Sequence, residues 1–180
     1  KMGTNQLTEE QLKVAFCEVR KAHRLIYEYQ HRMRDLSTFI RNKLGFNAYE
    51  GYKRFSNALS NRDSNNADKS SWDWMYTYVF EYWLGYQKVG EDRILGLSVI
   101  QVSDTGCYKE GKKNSDISTF PKVEDSDSRL MFYLCVRPNE APDMNWNAEE
   151  IIAQQILKDK PECFRPKNRP ELVKVTYSVP

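Results

Sequence analysis

The chain has 180 residues with 27 Lys and Arg, 25 Asp and Glu and 2 His, which gives a formal net charge of +2. Hydrophobic residues make up 40% and charged residues 29%, as in an ordinary globular protein, and no apolar run reaches membrane length. These values exclude a disordered or membrane-spanning chain. They predict one α+β domain over residues 1–180, and residues 1–11 lack the apolar centre of a signal peptide, which predicts a cytoplasmic location.

The net charge is unevenly distributed along the sequence. Residues 11–45 contain eight Lys or Arg against three carboxylates, so this segment carries +5 and the rest of the chain carries −3. The sequence therefore predicts a basic element attached to a slightly acidic body.

The first predicted element is a long helix that begins near Thr8. Thr8 and Gln11 have the spacing of a capping box, and Gly45 follows Leu44 where a left-handed C-cap is expected. Apolar residues recur every seven positions between these ends, and a second set follows three positions after them. The seam consists of Leu12, Ala15, Val19, Ala22, Ile26, Tyr29, Met33, Leu36 and Ile40.

A second, shorter helix is predicted after Gly45. Asn47 and Glu50 have capping-box spacing, and Tyr49, Tyr52, Phe55 and Leu59 are spaced for one helical face. The two helices would form a helical hairpin over residues 8–60. Residues 60–71 are polar and aperiodic, which predicts a flexible linker.

The β-rich part, residues 72–180, begins with six aromatic residues at alternate positions, Trp72, Trp74, Tyr76, Tyr78, Phe80 and Tyr82. The same run also fits a helical face, but Trp, Tyr, Thr, Val and Phe favour a strand. Its aromatic face is either core or a platform for stacking bases or sugars, and we expect Trp74, Tyr76, Tyr78 and Phe80 to be largely buried. A turn at residues 89–92 and a return strand over residues 93–103 follow, with Gly96 as a candidate bulge.

The remaining elements complete a sheet. Residues 104–128 form a long polar loop, residues 130–136 a central strand, residues 147–160 a helix, and residues 173–179 a final strand. The predicted fold is α+β: an N-terminal helical hairpin with a long first helix, then a roughly four-stranded, mostly antiparallel sheet with one further helix, in two layers.

The candidate functional site is a basic stripe on the first helix. Arg and Lys at helical spacing match phosphates, and Tyr and His stack on bases, although every long helix also needs a solvated face. The predicted nucleic-acid-binding residues are Lys13, Arg20, Arg24, Tyr27, His31, Arg34 and Arg41.

Two further patterns have the residue types of catalytic sites in nucleases. The Arg24–His31 spacing resembles the arginine–histidine element of the HEPN ribonucleases, which are all-helical, and Asp92 with Glu110 and Lys112 has the residue types of a metal-dependent nuclease. His23 and His31 are too far apart along a helix to share one zinc ion. No catalytic residue, metal site or cofactor is predicted.

The four cysteines, Cys17, Cys107, Cys135 and Cys163, form no Cys-x-x-Cys pair, which argues against a zinc ribbon or a thioredoxin-type site. We expect free thiols in a cytoplasmic protein, and two disulfides remain the alternative for a secreted one.

The sequence thus predicts a binding or interaction protein, more readily than an enzyme. Its partner is either nucleic acid, bound by the basic stripe, or another protein chain, paired through the heptad seam in a hetero- or homo-oligomer. No membrane partner is predicted. A nuclease-like enzyme is the third alternative.

Overall fold

A computed structural model of the chain describes residues 8–55, 78–110, 112–114, 116–139, 152–153, 156, 158, 162–164 and 173–179. The chain divides into two compact units, Lys1–Ile40 and Arg41–Pro180. The predicted linker at residues 60–71 lies outside the described residues, as do Trp72, Trp74 and Tyr76 of the aromatic run. The prediction of a single domain stays a prediction.

The long first helix is confirmed as α1, Glu9–Leu44, with 36 residues and a length of about 54 Å at 1.5 Å per residue. Its N-terminal capping box forms as predicted: the Thr8 amide donates to Gln11 Oε1 at 2.9 Å, and the Gln11 amide donates to Thr8 Oγ1 at 3.3 Å. Gly45 ends the helix with a φ of 75°. The Phe46 amide then donates to the Arg41 carbonyl, which satisfies one of the last free carbonyls of the helix.

The predicted second helix is wrong, because residues Glu50–Lys53 form a short strand, β1. β1 pairs antiparallel with the strand that contains Phe80, and Gly51 is placed where an added Cβ would lie 2.7 Å from Phe80 Cζ. Only glycine permits this approach without displacing the ring, and glycine in a helix interior costs about 1 kcal/mol. Strand pairing therefore overrides the helical spacing of Tyr49, Tyr52 and Phe55.

Among the described residues, the main sheet has four long strands and two short edge strands. The long strands are β2 (Val79–Val89), β3 (Arg93–Val102), β6 (Arg129–Pro138) and β8 (Val173–Val179), and the second edge strand is β7 (Glu162–Phe164). The order is β1-β2-β3-β6-β8-β7, and every neighbouring pair is antiparallel. An antiparallel sheet that follows a long helix confirms the α+β class. Whether helices cover the sheet as a second layer stays a prediction.

A bulge interrupts β2 between Trp83 and Gly85. Gly85 has a φ of 92°, and an added Cβ there would lie 2.7 Å from the Cβ of Ala48. Both facts require glycine. The predicted bulge at Gly96 is wrong, since Gly96 pairs regularly with Tyr86 on one side and Cys135 on the other.

One cluster of buried apolar side chains lies on a single face of the sheet, which we call the inner face. It joins side chains of β2, β3 and β6 to Ile152 and Ile156 and to the segment after β3. The cluster consists of Phe55, Val79, Ile100, Val102, Cys107, Tyr108, Met131, Tyr133, Ile152 and Ile156. Among the described residues a second helix is not seen: Ile156 donates one helical hydrogen bond to Ile152, and most of the predicted helix over residues 147–160 lies outside.

The long polar loop is built from short ordered elements. It contains the 3-10 turns Thr105–Cys107, Ile117–Thr119 and Val123–Asp125 and a small hairpin of β4 (Tyr108–Lys109) and β5 (Lys112–Lys113). Asp104 caps the first turn by accepting the Gly106 amide at 2.7 Å. The Thr105 amide donates to the Asp127 carbonyl, so the beginning and end of the loop are joined.

Candidate functional site

The predicted basic stripe lies on α1, and two of its residues, Lys13 and His31, lie beside carboxylates of the same helix. Lys13 pairs with Glu9 at 2.8 Å, and His31 Nδ1 lies 3.1 Å from an oxygen of Asp35. Exposed pairs of this kind contribute little to stability, yet they break the continuity of positive charge. Lys21 and Glu18 form a third pair, at 2.8 Å.

The other members of the stripe differ in their surroundings. Arg20, Arg24 and Arg34 are exposed, and Tyr27 is exposed with its ring centroid 6.2 Å from that of His31. Arg41 belongs to the second compact unit, where its guanidinium lies 5.3 Å from the centroid of the Tyr49 ring and donates to Asn42 Oδ1. The structure thus brings Tyr27 and His31 together and assigns Arg41 a local contact.

The exposed apolar side chains of α1 are its most informative feature. Leu25 is 71% exposed, Phe39 64% and Phe16 59%, values that are unusual for side chains this large. Only Met33 and Ser37 are buried in the helix. The exposed apolar residues on α1 are Leu12, Val14, Phe16, Val19, Leu25, Ile26, Tyr27, Leu36, Phe39 and Leu44.

The sheet contains a buried polar cluster that the sequence does not predict. Glu81, the third residue of β2, has no exposed surface, and one of its oxygens accepts a hydrogen bond from Arg54 Nε and forms an ion pair with Nη2 of the same guanidinium. The other oxygen accepts the hydroxyl of Ser98, which is also fully buried. Because a buried carboxylate is stable only when paired and hydrogen-bonded, Arg54 and Ser98 are what allows Glu81 to be buried.

This cluster continues to the surface through β1. The Arg54 guanidinium lies 5.1 Å from the centroid of the exposed Tyr52 ring, and the Tyr52 hydroxyl donates to Glu50. That hydrogen bond raises the pKa of the Tyr52 phenol above its ordinary value. The buried Ser98 hydroxyl is inaccessible to a substrate.

Further along the inner face, a pair of aromatic rings lies beside a buried arginine. The Trp83 and Tyr86 rings meet edge to face with centroids 4.9 Å apart, and the buried Arg137 guanidinium lies 5.1 Å from the centroid of the Tyr86 ring. These contacts exist because the bulge turns Tyr86 to the same face as Trp83. Gly45, Asn47, Tyr86, Gln87, Lys88 and Ile94 line an open hollow of about 410 Å³ nearby.

The residue types of the nuclease alternative lie in different elements. Asp92 is in the turn between β2 and β3, Glu110 is in the hairpin turn with a φ of 51°, and Lys112 is on β5. In the part of the chain that the structure describes, no three potential metal-ligating side chains come together. Burial raises the pKa of the Cys107 thiol, which keeps it protonated and a poor nucleophile. All four cysteines are free thiols.

One signal in the sequence pointed toward the missed cluster. Glu81 is the only carboxylate within β2, and the alternation of the aromatic run assigns it to the face opposite the rings, where a solvent-facing acid is the ordinary expectation. In the structure, the side chains on both faces of β2 around Glu81 are buried or half-buried. Arg54 precedes Glu81 by 27 positions, and no periodicity links the two.

Within the described residues, no helix is long and apolar enough to cross a membrane. The long helix and the antiparallel sheet that follows it define the class as an α+β protein. Residues 9–164 match the sequence profile of the PM0109 family, and the chain therefore belongs to that family. Comparisons with curated proteins and with solved structures found no match.

Proposed function

We propose that this chain is a non-enzymatic interaction protein whose contact surface is the heptad seam of α1 with the two apolar residues that flank it, Phe16 and Leu25. The observation that carries the proposal is the exposure of Phe16, Val19 and Leu25 on one long helix. Large apolar patches are rare on monomers, because each exposed side chain forgoes about 1.5–3 kcal/mol that burial would contribute. A partner that covers this face recovers that free energy.

The charge distribution of α1 supports a protein partner in preference to nucleic acid. Phosphate binding requires a continuous positive face, whereas Glu9, Glu18 and Asp35 each pair with a basic side chain of the same helix. Mixed charge beside an apolar seam is typical of helices that pair with other helices.

The proposal is tested by a pair of matched valine substitutions. Val19 is in the heptad seam and 51% exposed, while Val14 lies outside the seam and is 56% exposed. We expect Val19→Asp to reduce covalent adducts in a cellular crosslinking experiment at least about tenfold, and Val14→Asp to leave them unchanged. Circular dichroism and thermal unfolding establish that both variants fold. Equal crosslinking by the two variants contradicts the proposal.

A second candidate function, nucleic-acid binding, is supported by Arg20 and Arg24. Both are exposed one turn apart, and among the described residues neither has an ion pair. Next to them, the exposed Tyr27 ring is available for stacking. A titration with single- and double-stranded nucleic acid at two salt concentrations tests this, with log K expected to change by about 0.7–0.9 per phosphate neutralised per tenfold change in salt. No binding at low salt eliminates this candidate.

We also propose a cytoplasmic location. Four unbonded thiols, including the exposed Cys163, are compatible with a reducing compartment. Counting reactive thiols in freshly lysed host cells tests this location, and a count of zero contradicts it.

A further inference from the structure

We propose that the partner of α1 is the α1 helix of a second copy of this chain, paired antiparallel over residues 12–29. This inference rests on the proposed function, since it names the partner of the same surface. It assigns one register: residues whose numbers add to 41 face each other across the pair.

The sizes of the seam residues favour antiparallel pairing. Large side chains alternate with alanines along the exposed part of the seam, so a parallel pair in register places Ala15 against Ala15 and Ala22 against Ala22, which leaves voids. In the antiparallel register every alanine meets a large side chain. The layers are Leu12 with Tyr29, Ala15 with Ile26, and Val19 with Ala22, each occurring twice.

The charges of α1 also favour antiparallel pairing. Residues 9–19 carry three carboxylates and one lysine, whereas residues 20–34 carry five Lys or Arg and the single carboxylate Glu28. A parallel pair puts the two basic segments side by side. An antiparallel pair puts the acidic segment of each copy beside the basic segment of the other and aligns the helix dipoles favourably.

The residues that flank the seam fit the same register. Phe16 and Leu25 are exposed apolar side chains that directly flank the layers, and the antiparallel arrangement places Phe16 next to the partner's His23 and Leu25 next to the partner's Glu18. In this register no two like charges lie opposite each other across the flanks. The residue beside the partner's Arg32 is the neutral Gln11. The flanks therefore extend the covered apolar surface without repulsion.

The test is pairwise cysteine crosslinking in the full-length chain. The background carries Cys17→Ser and Cys163→Ser, because Cys17 is half-buried and Cys163 exposed, while the buried Cys107 and Cys135 are retained. Ala15→Cys and Ile26→Cys are prepared separately, then oxidised alone and after mixing. In the proposed register the two Ala15 positions are about 16 Å apart along the axis, at 1.5 Å per residue, beyond disulfide reach.

We expect a covalent dimer only in the mixture. In sedimentation equilibrium we expect the unmodified chain to form dimers. Val19→Asp should dissociate these dimers, and Val14→Asp should leave them intact. A dimer from Ala15→Cys alone overturns the antiparallel register. A strictly monomeric chain overturns the second copy as the partner. If Val19→Asp still abolishes the cellular adducts of such a monomer, the proposed function stands and only this inference fails. Loss of both results refutes both.

Discussion

Replacing Arg54 with methionine removes the cation that balances the buried carboxylate of Glu81. Glu81 has no exposed surface, and the Arg54 side chain is only 20% exposed, so water compensates little for the loss. Breaking a buried pair by deleting one partner costs about 3–5 kcal/mol, a large part of the 5–15 kcal/mol by which domains are typically stable. We expect Arg54→Met to lose about that amount in urea unfolding followed by tryptophan fluorescence.

A double-mutant cycle separates the charge from the packing. Glu81→Met in the Arg54→Met background removes the remaining charge and replaces it with an apolar side chain of similar size, and it should restore most of the lost stability. The matched control is Arg93→Met, because Arg93 and Asp92 form an exposed pair at 4.0 Å whose side chains are 64% and 84% exposed. That substitution should change the unfolding free energy by no more than about 0.5 kcal/mol.

The result that refutes this reasoning is a loss below about 1 kcal/mol for Arg54→Met. A loss that small means that Glu81 reaches water or is protonated at no cost in the folded protein. A double variant as unstable as Arg54→Met alone would show instead that Arg54 acts through its packing against Tyr52 and not through its charge.

Three further outcomes are expected. Gly90→Ala should cost about 1–2 kcal/mol from its φ of 73° alone, since an added Cβ meets nothing within 4 Å. Gly85→Ala should cost at least about 1 kcal/mol more, because its added Cβ also meets the Cβ of Ala48. Equal losses in urea unfolding would contradict this. Tyr82→Ala should cost about 3–5 kcal/mol because Tyr82 is buried, and unchanged thermal unfolding would show that it is not. Because burial raises the pKa of Cys107 above its ordinary value of about 9, the contribution of the neutral thiol is present below pH 9 and is lost as pH rises beyond it. Cys107→Ala should therefore flatten the fall in stability between about pH 9 and pH 11, and an unchanged slope would count against a buried thiol.

The elements with unambiguous local signals were predicted well from the sequence. The capping box at Thr8, the seven-residue repeat and Gly45 mark α1 at both ends, and the observed helix matches them within a residue or two. The final strand, residues 173–179, was also predicted with its observed ends. These signals are local, because capping, periodicity and turn chemistry depend on residues a few positions apart.

Features that depend on distant residues were missed. The spacing of Tyr49, Tyr52 and Phe55 suits a helix, and only the neighbouring β2 makes a strand of Glu50–Lys53 the better use of its backbone hydrogen bonds. The Glu81 cluster is another case, since Arg54 reaches it across the sheet edge. Tyr78 and Phe80, expected to be largely buried, are half-buried. The predicted basic stripe was placed on the right helix, but the sequence pattern did not show which of its side chains pair with carboxylates.

The bulge at Gly85 shifts by one residue the alternation of side chains between the two faces of β2. Before it, Phe80 and Tyr82 point away from the inner face, whereas Tyr86, an even-numbered residue in the same alternation, lies across from Gly96 on the inner face. β2 is thus two half-strands joined out of step by one residue. Deleting Leu84 would restore a continuous alternation in which every remaining residue keeps its present partner on β3 and its present face. The strand tolerates its long aromatic run because neither face of the sheet receives all of the rings.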